Sequence, residues 1–161
     1  MSRGSVVPLL INQIKNGKDL TVTHKDMTRF LMPLDDAVNL VLLSIKKNSK
    51  NTTTYVHKAP AANVYMLAKI LIDYYNSKSK IKMIGIRNGE KLHETLISSE
   101  EFNYTKEFTN HFEIKHNISN LDYKRYFYVG NKLGIRKEYN SEQAINISNV
   151  KKILINEIKR N

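Results

Sequence analysis

Cysteine is absent from the 161 residues, which excludes disulfides and thiolate metal sites alike. The five histidines, His24, His57, His93, His111 and His116, form neither an H-E-x-x-H pattern nor a tightly spaced pair, so the sequence gives no sign of a metal centre. Long apolar runs are missing too. No window approaches the roughly 18 uninterrupted apolar residues that a membrane span requires, and the N-terminus lacks the apolar core of a secretory signal. The chain reads as cytoplasmic, with no membrane partner. Its length provides for one ordinary domain with its own core and is too short for a two-domain enzyme.

What is present in excess is positive charge, a net +11. Binding a nucleic acid through counterion release needs that charge in a concentrated patch. Here 20 lysines stand against 6 arginines, spread along the whole chain. That distribution speaks for solvated faces and against a nucleic-acid partner. It suits a small anionic ligand equally well.

Hydrophobic spacing alternates between helical and extended periods. Val6, Val7, Leu10, Ile11 and Ile14 recur at helical spacing after Ser5 as N-cap, and Gly17 ends the helix. The runs "LTVT" and "TRFLM" read as strands. Pro33 then opens a second helix with Leu34, Val38, Val41, Leu42 and Ile45 as its apolar stripe, and Asp35 and Asp36 at its positive end. "TTTYVHK" reads as a strand, Pro60 as a break, and Val64, Leu67, Ala68, Leu71 and Ile72 as a third helix, followed by the strand "KIKMIGI". Further on, "ETLIS" is expected as a strand, "SSEEF" as an acidic turn and "HFEIKH" as an edge strand. "LDYKRYFYVG" has no clear period, and residues 146–161 form a terminal helix capped by Ser148. Strands and helices in turn predict a mixed α/β sheet protein.

Within this order, the stretch "IGIRNGEKLHE" stands out. A strand ending in Arg87 places a planar guanidinium where it can hold two phosphate oxygens at once. Gly89 permits a sharp turn or a close backbone approach, and Glu90 can accept hydrogen bonds from a vicinal diol such as a ribose. The bland alternative is a strand-end turn decorated with surface charge.

Several segments, in colinear order from Ser2 to about Glu142, resemble one family: "MSRGSVVPLLINQIKNGKDLTVTHKDMTRFLMPLDDAVNLVL", "VHKAPAANVYMLAK", "IGIRNGEKLHETLIS", "NLDYKRYF" and "EYNSE". The family is the polysaccharide-biosynthesis branch of the extended short-chain dehydrogenases/reductases, and the likeness is to its C-terminal, substrate-binding half. Its members include UDP-N-acetylglucosamine 4,6-dehydratases and UDP-glucose 4-epimerase-like proteins of capsule and surface-polysaccharide pathways. The resemblance implies that Arg29 and Arg87 reach the diphosphate of a UDP-sugar, that Glu90 holds its ribose, and that the loop with Arg3, Gly4 and Ser5 lies along the nucleotide. From the residues alone, Arg29 would equally be a strand-edge charge.

The resemblance also implies NAD or NADP, held on a Gly-rich strand-to-helix turn, and a catalytic tyrosine and lysine. No G-x-x-G-x-x-G exists in the chain, and the family's catalytic pair lies upstream of the matching region. The chain alone is therefore expected to bind no cofactor and to hold no catalytic residue. The Tyr-x-x-x-Lys matches Tyr65 to Lys69 and Tyr74 to Lys78 fall on the third helix. With 9 tyrosines and 20 lysines about one is expected by chance, and neither sits where the family keeps its pair. Met1 stands inside a motif that family members continue upstream, so the expected architecture, over 1–161, is a partial Rossmann-type fold without its nucleotide-binding half. Such a chain exposes apolar faces that favour association, with a separately made Rossmann-half chain or with further copies of itself. Three readings remain at this level: a UDP-sugar-binding enzyme half, a gene fragment without function, and a basic nucleic-acid-binding module.

Overall fold

The helical spacing of the first segment is realised in α1 (Val6–Lys15), which buries Val7, Leu10, Ile11 and Ile14. Its end is a Schellman motif. Gly17 adopts φ +62°, its N–H donates to the Ile14 carbonyl at 2.9 Å, and the Lys18 N–H donates to that of Gln13 at 2.9 Å, an arrangement open to glycine because it has no Cβ. The computed structural model describes residues 5–47, 52–115 and 138–160; Arg3, Gly4, His116 and the segment "LDYKRYFYVG" lie outside them.

The described chain is a mixed α/β protein with small sheets, divided into two compact units. The first unit (1–34, 59–94 and 140–161) holds the larger core. Beside α1 it contains β1 (Leu20–Val22), β2 (Thr28–Phe30), β4 (Ala61–Asn63), α3 (Val64–Tyr74), β5 (Ile81–Met83) and the terminal α5 (Ile147–Arg160). β1 pairs in parallel with β5, and β2 antiparallel with β4 in the register Arg29 opposite Ala62. Leu10, Leu20, Leu67, Leu71, Val150 and Leu154 meet in the interior. Asn63 caps α3, its side chain accepting from the Met66 N–H at 3.1 Å. α5 begins before the serine expected to cap it. Asn146 does that work, accepting from the Asn149 N–H at 3.1 Å, because its side chain stands three residues ahead of an orphan amide and Ser148 is already inside the first turn. No helix among the described residues is long and apolar enough to cross a membrane.

The second unit (35–58 and 95–139) contains most of α2 (Leu34–Lys47), β3 (Thr53–His57), β6 (Thr95–Ile97), α4 (Ser99–Phe102), β7 (Thr105–Glu107) and β8 (His111–Lys115), with β9 (Tyr139–Asn140) at its boundary. "SSEEF" is a one-turn helix where a turn was expected. A capping box makes it so: the Ser98 hydroxyl accepts from the Glu101 N–H, and the Glu101 carboxylate accepts from the Ser98 N–H. "HFEIKH" was expected at a sheet edge, whereas β8 is the central strand of the order β3-β8-β7. Phe112, Glu113 and Ile114 are all buried there, so both faces of the strand are covered and the in-and-out alternation is lost. The α2 stripe faces solvent, with Leu34 72% and Ile45 68% exposed. From Ala37 to Ile45 the helix is apolar almost all round, so spacing alone did not choose its inward side; Leu40 and Leu43 are half-buried instead.

Glu113 is a buried carboxylate held by an ion pair with Lys47 and faced by His111 Nε2 at 3.4 Å. Burial alone pushes its carboxyl up, but the hydrogen bonds and charges of Lys47 and His111 together hold it below the ordinary glutamate value. A carboxyl depressed in the folded state adds stability above the unfolded value of about 4.3, and that stability is lost as pH falls through the folded value. Thermal denaturation of Glu113→Gln is therefore expected to depend less steeply on pH below about 4.3 than that of the parent chain. Identical slopes would remove Glu113 as the titrating group.

Candidate functional site

β2 carries Arg29 outward from the first unit's core, between buried Thr28 and half-buried Phe30. The Arg29 side chain is only 19% exposed and is fixed along several edges. Nη1 donates to the Thr28 carbonyl at 2.8 Å and to the Leu92 carbonyl at 3.3 Å. Nη2 lies 3.6 Å from Glu90 Oε1, and Nε lies 3.6 Å from Glu94 Oε1. Two carboxylates thus face one guanidinium, at distances that give attraction without short hydrogen bonds.

Arg87, Asn88, Gly89 and Glu90 form a β-turn closed by the Glu90 N–H donating to the Arg87 carbonyl at 3.0 Å. Gly89 takes its third position at φ +78°, the type II requirement that favours glycine. Glu90 also accepts from the Arg87 N–H, at 3.2 Å through Oε2. One carboxylate therefore reaches both arginine positions: the guanidinium of Arg29 and the backbone of Arg87. The Arg87 guanidinium itself is exposed and makes no ion pair among the described residues. Ser5 stands at the N-cap position of α1.

Sequence reasoning missed the layer behind these groups. Glu94 was not singled out, nor were Thr28, His93 and Ser141. The Thr28 hydroxyl lies 2.8 Å from His93 Nδ1 and 2.6 Å from the Ser141 hydroxyl, and His93 Nε2 lies 3.9 Å from Glu142 Oε1. The available signal was the "EYNSE" motif, which carried no role. In the Tyr65 to Lys69 match, Lys69 sits 4.8 Å over the Tyr65 ring, a cation–π contact one helical turn apart. Tyr74 is 41% exposed and meets Tyr75 edge-on at 5.2 Å. No group of three His, Asp or Glu residues among the described residues is placed to hold a metal.

The fold and this cluster define an α/β chain that presents one pinned and one free guanidinium beside a glycine turn. The chain belongs to the polysaccharide biosynthesis protein family, whose sequence pattern matches residues 1–116. It is 44% identical over 158 residues to a UDP-glucose 4-epimerase of Rickettsia bellii (strain OSU 85-389), covering 96% of this chain and 46% of that protein. The UDP-glucose 4-epimerase of Rickettsia rickettsii (strain Sheila Smith) is 43% identical over 157 residues, with the same coverage. Among solved structures, that described as Pen from Bacillus thuringiensis superposes with a TM-score of 0.76 at 30% identity, over 96% of this chain and 45% of that one. The chain spans about half the length of the curated relatives it matches.

Proposed function

We propose that this chain is the UDP-sugar-binding portion of an extended short-chain dehydrogenase/reductase acting as a nucleotide-sugar 4-epimerase or 4,6-dehydratase in surface-polysaccharide biosynthesis. The observation that carries the reading is the convergence of Arg29, Glu90 and the Arg87 turn on one cluster. A diphosphate brings several anionic oxygens. The exposed Arg87 fork offers them a bidentate contact, and the Nη2 edge of Arg29 becomes available when Glu90 turns from it to a ribose diol. The names of the relatives supply the substrate class. Redox and proton-transfer chemistry belongs, on this reading, to the part of such enzymes that this chain does not match.

The NAD or NADP that the resemblance implies finds no cradle among the described residues. Ser5, Pro33, Asn63 and Asn146 precede α1, α2, α3 and α5, and the glycines of positive φ end α1 (Gly17) or follow β5 (Gly85, Gly89). None of these glycines opens a helix toward a pyrophosphate.

Calorimetric titration of the full chain with UDP-N-acetylglucosamine and UDP-glucose tests the reading. Arg87→Ala is expected to weaken binding by about 1.5 to 3 kcal/mol, the scale of a hydrogen bond to a charged group. Unchanged affinity in the variant would remove Arg87 from the site. A chain indifferent to UDP-sugars that binds DNA with affinity falling steeply with salt would instead be a basic nucleic-acid module.

A further inference from the structure

The "EYNSE" motif places Ser141 at a fully buried position (0% exposed), next to Glu94 of the arginine cluster. Its hydroxyl accepts from the Glu94 N–H at 2.8 Å and sits 2.6 Å from the Thr28 hydroxyl and 3.3 Å from the Thr28 carbonyl. Its own N–H donates to the Glu94 carbonyl at 2.8 Å. Ser141 therefore grips Glu94 through both backbone groups while touching β2 through its side chain. Arg29 spans the same two segments, with Nη1 on the Thr28 and Leu92 carbonyls and Nε toward Glu94. The Leu92 carbonyl accepts in addition from the Thr28 N–H at 3.0 Å, so both cross-links hold one junction.

We propose that Ser141 is a positioning residue for the Arg29 guanidinium, acting through Glu94 and Thr28 to hold the stretch 92–94 against β2. The Glu94 N–H occupies one lone pair of the Ser141 oxygen, and the Ser141 and Thr28 hydroxyls share a hydrogen bond whose direction follows the His93 tautomer, Thr28 donating to Nδ1 when that nitrogen carries no proton. Removing the Ser141 hydroxyl strands the part-buried Glu94 N–H and leaves the buried Thr28 hydroxyl with His93 alone, and an amide left unpaired is costly. The stretch then relaxes, and the Nη1 and Nε edges lose the partners that aim Nη2 outward. Binding by a prepositioned fork spends little on ordering; binding by a loose one spends more. The effect on ligand affinity rests on the UDP-sugar reading, whereas the effect on the guanidinium stands without it.

The test is nuclear magnetic resonance of the full chain, following hydrogen exchange of the Arg29 Nε–H. In Ser141→Ala this exchange is expected to be faster by roughly tenfold, the equivalent of losing one buried hydrogen bond, while the amides of α1 and α3 keep their protection. An unchanged Arg29 rate overturns the proposal. Should Ser141→Ala fail to fold, Thr28→Val removes the hydroxyl side of the same junction, and a rate equal to that of the parent chain has the same force. In a second arm, Ser141→Ala weakens UDP-N-acetylglucosamine binding, and the double variant with Arg29→Ala binds no worse than Arg29→Ala alone; fully additive losses count against positioning. If the parent chain ignores UDP-sugars, the proposed function fails, and the exchange measurement still decides the role of Ser141.

Discussion

Leu67→Ala is expected to lower the unfolding free energy by about 2 to 5 kcal/mol, measured by denaturant titration. Leu67 is fully buried on α3 among Leu10, Leu20 and Leu71. Truncation removes its transfer free energy and leaves a cavity that the fixed neighbours fill only in part. Against a typical total of about 5 to 15 kcal/mol this is a large fraction, and the first unit should melt well before the parent chain does. A loss under about 1 kcal/mol would mean that the α1–α3 interior collapses onto the gap, and is looser than its burial implies.

The second large effect concerns Arg29. On the proposed function, Arg29→Ala is expected to weaken UDP-sugar binding by about 1.5 to 3 kcal/mol and also to destabilise the first unit, because it leaves the Glu90 and Glu94 carboxylates without their shared cation. Arg29→Lys distinguishes fork from charge. An ammonium keeps the charge but has no planar edges with which to reach the Thr28 and Leu92 carbonyls while facing Glu94. The lysine variant should therefore recover less than half of the lost binding free energy in calorimetry. Parent-like affinity would show that a point charge is sufficient there. Arg87, exposed and unpinned, should tolerate lysine better.

The two arginines illustrate how unevenly a site is legible. Arg87, Gly89 and Glu90 are neighbours in sequence, so the turn followed from a local rule, a positive φ at Gly89, while the bond from the Arg87 N–H to the Glu90 carboxylate is a finding of the structure. Arg29 is 61 residues from Glu90, and its residues alone allowed a bland strand-edge charge. What makes it distinctive is the pair of carbonyls and the pair of carboxylates that the fold brings to it. Ser141 is further still from Thr28, 113 residues along the chain, and no spacing rule reaches that far.

The helices divide along the same line. α1 and α3 each have one apolar face, and their buried residues are those their periodicity selects. α2 is apolar nearly all round, so its sequence states that it is a helix without stating which side turns inward. "HFEIKH" alternates as an edge strand does, and only the pairing of β8 with both β3 and β7 made it central.

The sequence by itself determined the helices with a single apolar face, the glycine stop after α1, the glycine turn at Gly89 and the mixed α/β class, because each follows from interactions within a few residues. The folded molecule alone made Arg29 pinned, let Glu90 serve both arginine positions, joined Ser141 to Thr28 and put Asn146 in place of Ser148 as the cap of α5. Those outcomes depend on hydrogen bonds and ion pairs between segments far apart in the chain. Their partners are fixed by packing, and packing is a property of the folded molecule.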